Sequence, residues 1–434
     1  MIARTLPGVT PAGAVTLAAA FVCMAVSSFT LSYFGVPYDT PGGSSLARVH
    51  PSTWLFALAL VMRVLEKGDP LAWIAAFPLR FPGAAVFLPI LAITLVYGAL
   101  VQKSPLTALV DTYFGAVAML ALHEDMNDFE RRLLRRGAHV FMATNALLGL
   151  AEYFGHFRLT PYALPGEVIE ADPRSSALLG HPLANAAACA AYVGALVFCD
   201  RMRATPILRA GLIALQSAAM VAFGGRTAIV LVAMLLGAKA LLGAFALLGG
   251  RRFTLAHAAL VAALAPLAIV ALGAALVHGV ADVLLDRFVS DHGSTQARFA
   301  ALDLFDRFTT SDLLLGPDPG SLAERQRTLG IEYGIENSWL GLMFEYGALM
   351  AAMLVVALLA LLCEFARRAQ RGIGVIIAMF LILASSAASL SVKSLLFTQF
   401  SILTLGVLSA PAGRRSATSP APARPRPYAQ AAWT

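Results

Sequence analysis

The apolar residues of this chain fall into long blocks, and the polar residues are gathered into breaks punctuated by Gly and Pro. About 20 apolar residues are needed to cross the hydrocarbon core of a bilayer, and shorter runs cross when their ends snorkel or the bilayer thins. The blocks therefore predict membrane spans at 12–34, 51–65, 84–101, 105–122, 137–155, 181–199, 207–223, 226–248, 257–280, 337–362, 373–391 and 394–410. The fold class that follows is an all-α integral membrane protein of about twelve transmembrane helices. The second span carries Arg63, and the stretch after it, DPLAWIAAFPLRFPG, also fits an interfacial or re-entrant segment. The first block follows Arg4 without a clear small-residue cleavage site and reads as a retained helix.

Composition narrows the class. Of 434 residues, 59% are hydrophobic and 13% charged, and mean hydropathy is +0.75, whereas a soluble domain carries about 25% charged residues. So few charges cannot cover such a surface in water, which excludes a soluble enzyme. The net charge of +7 would suggest nucleic acid in a soluble protein. Here the basic residues cluster between apolar blocks, which is a topology signal and argues against nucleic-acid binding. With both termini cytoplasmic, the cytoplasmic connections hold Arg131, Arg132, Arg135 and Arg136, then Arg201 and Arg203, Arg251 and Arg252, and Arg367, Arg368 and Arg371. Arg414 and Arg415 follow in residues 411–434, a Pro/Ala/Arg-rich stretch expected to be a disordered cytoplasmic tail. Cys23, Cys189, Cys199 and Cys363 show no CxxC or Cys/His spacing, so neither a disulfide framework nor a zinc site is indicated.

The opposite face receives two substantial loops, 156–180 and 281–336. The second is acidic, with ten Asp and Glu against five Arg. Within it, Phe299, Leu302, Phe305 and Phe308 recur every three residues, with Asp303 and Arg307 as an i,i+4 pair on another face, which predicts a short amphipathic helix. Ser321 followed by Glu324 predicts a capping box for a second short helix, SLAERQRT. The loop is expected to be a structured cap over the outer mouth. No internal repeat or inverted symmetry is evident.

Ionisable groups at the mouth of a membrane core are costly and are functional candidates for that reason. Arg226 opens a span in FGGRTAIVLV, where a guanidinium can bind a phosphate or carboxylate bidentately, or simply snorkel to the interface. Arg298 opens the amphipathic loop helix and Arg287 lies nearer the span; either can join Arg226 around an anion, or pair with the nearby aspartates. His181, in SSALLGHPLAN, begins a span after a loop bearing Arg174, and is either a proton acceptor for a sugar hydroxyl or a helix-start histidine. Glu336 and Asn337 begin the span after the large loop, as a base and its support or as a simple helix cap, and Glu345 follows nine residues later. Asp111, Lys239, Glu364 and Lys393 read as packing or topology residues. There is no GxxxxGK[ST], HExxH or outer-loop GxSxG, and no metal motif sits near a span start.

Several of these features together resemble the O-antigen ligase and Wzy-type polymerase superfamily: the large outer loop before the tenth span, G-R-T at Gly225–Thr227, GHPL at Gly180–Leu183, the arginine opening the loop helix, and ENSWLGLMFEYG from Glu336 to Gly347. The likeness is greatest to exopolysaccharide biosynthesis proteins of the VpsF type. It covers the chain from roughly the third span to the end. The resemblance implies a GT-C-like architecture in the bacterial inner membrane and a glycosyltransferase that works at the periplasmic face without nucleotide sugar, metal or other cofactor. The substrate would be an oligosaccharide on undecaprenyl diphosphate. The acceptor would be another carrier-linked repeat for a polymerase, or lipid A core for a ligase. Further partners would be membrane lipids and the chain-length regulator or export proteins of a polysaccharide assembly system.

Carried onto this chain, the resemblance makes Arg226 and Arg298 the arginines that hold the donor diphosphate. Ligases have a His-Asn/Ser/Gln pair, nine residues and a glycine, whereas this chain has Glu336-Asn337, nine residues and Gly347. Either Glu336 takes the role of the base, or His181 supplies it, or the chain is no ligase; the polymerase side is favoured. The competing classes are a glycolipid flippase or polysaccharide transporter, using Asp111, Lys239 and Lys393 within the membrane, and a noncatalytic scaffold.

Overall fold

The computed structural model describes residues 8–38, 44, 46–159, 163–164, 167–168, 174–198, 205–250, 294–331 and 334–409, with the backbone alone at 163–164, 167–168, 294–295 and 298. The helices in these residues are α1 (Pro11–Ala25), α2 (Ser28–Tyr33), α3 (Pro51–Glu66), α4 (Pro70–Arg80), α5 (Pro82–Leu100), α6 (Leu106–Asp125), α7 (Asp128–Gly155), α8 (Pro182–Phe198), α9 (Pro206–Phe223), α10 (Arg226–Leu248), α11 (Ser294–Asp303), α12 (Thr310–Leu315), α13 (Pro319–Thr328), α14 (Ser338–Arg368), α15 (Ile373–Ala384) and α16 (Leu396–Leu408). The described strands are a two-residue pair, Ala163–Leu164 and Glu167–Val168, antiparallel.

The fold is thus helical, and five of these helices, α5, α6, α9, α10 and α14, are long and apolar enough to cross a membrane. Four shorter apolar helices, α1, α8, α15 and α16, accompany them. The twelve predicted spans are not reached among the described residues, and 257–280 lies outside them.

Several predicted spans are built differently in the fold. The block 12–34 is two helices, because Ser27 accepts the Thr30 amide and starts α2 while the Val26 carbonyl is taken by His50. The segment 51–65 is one intact helix, and its Arg63 is buried beside Glu66 (3.1 Å) and Glu130 (3.5 Å). The following stretch is a separate helix of 11 residues, α4, too short at 1.5 Å per residue to span. The predicted span 373–391 stops as a helix at Ala384. The turns after it are held by α14: Ser338 Oγ donates to the Ala387 carbonyl (2.7 Å) and Trp339 Nε1 to Ser385 Oγ (2.6 Å).

Helix starts follow local chemistry. Proline, whose missing N–H costs nothing in a first turn, opens α1, α3, α4, α5, α9 and α13, and side chains of Thr10, Asp69, Asn127, Thr205 and Asn337 cap first turns. At the centre stands α16, every residue of which is buried, with Ser401 and Thr404 donating back to carbonyls of their own helix and Gln399 to the Cys23 carbonyl. Phe380 of α15 stacks on its Phe400 at 4.3 Å between centroids. Gly115 of α6 lies against Thr398 of α16, and Gly83 of α5 against Ala360 of α14, so small residues let these helices approach closely.

The bundle has two chemically different ends. One gathers charge: Lys67 and Arg80 on Asp125 (3.2 and 2.8 Å), Arg368 on Glu124 (2.6 Å) and Glu364 (2.8 Å), and Glu130 accepting from Thr10 N (2.9 Å) and Oγ1 (2.8 Å). The other carries the cap segments α11 to α13. There Ala301, Leu304, Ile331, Ile335 and Phe344 form a small separate core. Tyr97 OH and Gln102 Nε2 of the α5 end hold the Leu315 carbonyl of the cap.

The cap itself differs from the sequence reading. Phe299 and Leu302 are exposed, and the residues buried from that stretch are Ala301 and Leu304, with Phe305 and Phe308 resting on Phe344. The α-helix ends at Asp303, and the turn that follows is a 3-10 one at Phe305–Arg307. At 3.6 residues per turn the α-helical part rotates a three-residue repeat by about 60° at each step and carries Phe299 and Leu302 off the buried face, whereas the 3-10 turn keeps Phe305 and Phe308 together. The second short helix begins at Pro319 and is capped by Asp318, which accepts the Ser321 amide, so Ser321 lies inside the helix instead of capping it.

Candidate functional site

The cap end joins four chain segments around the loop Arg174–His181. Ser175 N donates to the Ala222 carbonyl at the end of α9 (3.1 Å). Gly224 then closes α9 in a left-handed conformation, φ 68°, and Gly225 leads into α10 with Arg226 as its first residue. A side chain at Gly225 would overlap Ala186 of α8, so the start of α10 sits directly on the first turn of α8. Arg158, at the end of α7, donates from its guanidinium to the Arg174 carbonyl (3.3 Å). Arg174, His181 and Arg226 are therefore in one neighbourhood, and Arg158, which no sequence motif singles out, belongs to it.

The loop is pinned from α7. Glu152, buried, accepts the amides of Ser176 (3.0 Å), Ala177 (2.9 Å) and Leu159 (3.0 Å). Asn145 accepts the Leu178 amide (3.0 Å) and donates to Asn185 (2.8 Å), whose own amide group donates to the carbonyls of Ser176 and His181. His181 caps α8: its Nδ1 accepts the Leu183 amide (3.2 Å), which leaves the proton of a neutral ring on Nε2. Its geometry is that of a donor at Nε2.

Glu336 and Asn337 precede α14 at the same end. Asn337 caps the helix, accepting from Trp339 N (3.0 Å) and Leu340 N (3.2 Å), so its backbone role accounts for its side chain. Glu336 is half-buried. The glycine that follows after nine intervening residues, Gly347, bends α14 with φ 84° and ψ 154°. Arg298 lies on α11, whose Ala301 packs into the small core with Phe344 of α14. Arg287 lies outside the described residues.

A second polar cluster at this end involves residues read from sequence as topology charges. Asp111, fully buried in a π-helical turn of α6, accepts from Tyr38 OH (2.8 Å), Thr53 Oγ1 (2.7 Å) and the His50 amide (3.1 Å). Lys393 donates to the Tyr38 carbonyl (2.7 Å) and lies 3.1 Å over its ring. His50 is closed off too, its Nε2–H donating to the Val26 carbonyl (3.0 Å) while Nδ1 accepts the Ser52 amide (3.2 Å). Burial pushes this imidazole down to about 4, with Lys393 adding to the effect and the Val26 bond opposing it.

Among the described residues no group of three His, Cys, Asp or Glu is gathered to hold a metal ion. No protein-family model, no curated protein and no solved structure matches this chain.

Proposed function

We propose that this chain is a membrane glycosyltransferase of the polymerase type. It transfers glycan from an undecaprenyl diphosphate carrier to an acceptor sugar hydroxyl at the periplasmic face of the bacterial inner membrane, with both termini cytoplasmic. The observation that carries the reading is the gathering of Arg158, Arg174, His181 and Arg226 around one anchored loop at the cap end. In the transfer the anomeric carbon–oxygen bond to the diphosphate breaks and the bond to the acceptor oxygen forms. Arginines around the leaving diphosphate stabilise its developing charge, bidentately and without a change of protonation.

The acceptor proton goes to Glu336 in this reading, since the His181 ring offers a donor at Nε2. The open apolar face of the outer half of α5, formed by Ala92, Ile93, Val96, Tyr97, Leu100 and Val101, offers a surface for a polyprenyl chain beside the cap. The flippase alternative is weakened by the use made of its charges. Asp111 and Lys393 are spent on Tyr38, Thr53 and His50, and Lys239 lies 4.8 Å over the Phe198 ring.

The test incubates purified protein in nanodiscs with undecaprenyl diphosphate-linked repeat units and resolves products by size, beside Arg226→Ala and Arg174→Ala. A product ladder from the wild type that both variants lose supports polymerisation through diphosphate recognition. Lipid-linked glycan that crosses sealed proteoliposomes without elongation overturns it in favour of transport.

A further inference from the structure

We infer that Glu152 is a positioning residue that sets the Arg174–His181 loop, and through it the anion-binding mouth, by holding the loop backbone as a carboxylate ligand would hold a cation. This rests on the function proposed above for the loop and adds how the site is kept in shape. A carboxylate offers acceptors only, and here both oxygens take backbone amides: Oε2 those of Ser176 and Ala177, Oε1 that of Leu159.

Hydrogen bonds to an ionised acceptor are about twice as strong as neutral ones, and this one is shielded from water. It also holds backbone that would not otherwise stay in place. Ala177 has φ 41°, a left-handed conformation uncommon for a residue with a side chain, and its amide is one of the two on Oε2. The other two tethers point the same way. Ser175 Oγ donates to the Gly149 carbonyl (2.6 Å), one turn before Glu152 on α7, and Asn145 takes the Leu178 amide one turn further back.

One helix face, Asn145–Gly149–Glu152, thus grips each of residues 175–178. Because Ser175 N also donates to Ala222, the grip extends to the α9–α10 turn that presents Arg226. Arg158, three residues beyond the end of α7, closes the loop at the Arg174 carbonyl. The work of Glu152 is to fix the loop that carries His181 and to keep Arg174 and Arg226 at a set spacing.

The test uses Glu152→Gln in the full chain, which keeps shape but replaces one acceptor oxygen by an amide that must face N–H groups. Two quantities are read: hydrogen exchange of residues 175–178 in detergent, and the kinetics of elongation. The expected result is exchange about tenfold faster at Ser176 and Ala177 with α5 and α14 unaffected. The donor KM should rise about tenfold while kcat changes little. Unchanged exchange at 176 and 177, or a fall in kcat with KM constant, overturns the assignment. Should Glu152→Gln fail to fold, Ser175→Ala removes a single tether and is read in the same way. If the wild type makes no product, the exchange measurement still decides whether Glu152 holds the loop, and only the polymerase reading has failed.

Discussion

A Cβ placed on Gly316 would stand 3.0 Å from the amide nitrogen of Gly347. The cap and the bend in α14 therefore meet glycine to glycine, with the backbone of Leu314, Leu315 and Gly316 resting against Gly347. Glu336-Asn337, the cap of α14, stands on one side of this bend, and the apolar run toward Arg368 on the other.

Replacing Gly347 by Ala tests whether the bend is needed. Its φ of 84° with ψ of 154° lies where essentially glycine alone is found, and a methyl group would also run into the Leu315 backbone. A destabilisation of about 1–3 kcal/mol or more is expected from the strain alone. It should be accompanied by faster proteolysis within 316–330, where α13 loses its seat. A variant with unchanged melting temperature and cleavage rate would show that the cap does not depend on this contact.

Asp111→Ala is expected to be among the most damaging single changes at the cap end. The carboxylate collects three buried donors from Tyr38, His50 and Thr53, and its loss leaves them without an acceptor in a dry site. Each unsatisfied donor costs about 1–3 kcal/mol, so an expressed variant should melt far below the wild type in a detergent thermal-shift assay. Asp111→Asn retains one acceptor oxygen and should fall between the two. Equal stability of all three proteins would remove Asp111 from the list of anchors.

How far the sequence reaches is visible in this cluster. Asp111 and Lys393 were legible as unusual charges near apolar blocks, but their common partner Tyr38 is 73 and 355 residues away from them. No local pattern reports such a pairing. The apolar blocks themselves were legible because lipid imposes length and composition on each helix separately; thus 226–248 is reproduced by α10 and 207–223 by α9 to within a residue. Where the outcome depends on a neighbour, the pattern failed: the cap turned Ala301 and Leu304 inward because Phe344 of α14 supplies the aromatic surface, leaving Phe299 outside. At the candidate site, Arg174, His181 and Arg226 could be named from their span mouths. Glu152 and Arg158 could not, since a buried glutamate bonded to amides looks in sequence like any helix-end charge.

The depressed His50 imidazole makes stability depend on pH in a stated direction. The unfolded chain takes up this proton near 6.5, whereas the folded chain resists it down to about 4. Stability from His50 is therefore fully present above 6.5 and is lost as pH falls from there toward 4, up to about 3 kcal/mol across the window. Melting temperature measured between pH 7.5 and 5 should fall steadily in the wild type. His50→Gln should show a shallower slope, and equal slopes would mean that His50 opens to water before it titrates.

The placement of Arg226 can be tested without touching its charge. Gly225 packs so closely on Ala186 that Gly225→Ala must push the first turn of α10 off α8, moving the guanidinium while preserving it. A displacement of about 1 Å of a positioning group can cost on the order of a hundredfold in rate, so Gly225→Ala should impair elongation nearly as severely as Arg226→Ala. Arg226→Lys keeps the charge but loses the bidentate fork, and is expected to retain about a tenth of the activity. The decisive variant is the pair Ala186→Gly with Gly225→Ala, which moves one methyl from α8 to the α10 turn and restores the room. If activity returns in the pair, the spacing between α8 and α10 sets the arginine. If the pair stays as poor as Gly225→Ala alone, the glycine is needed for its backbone and not for its neighbour.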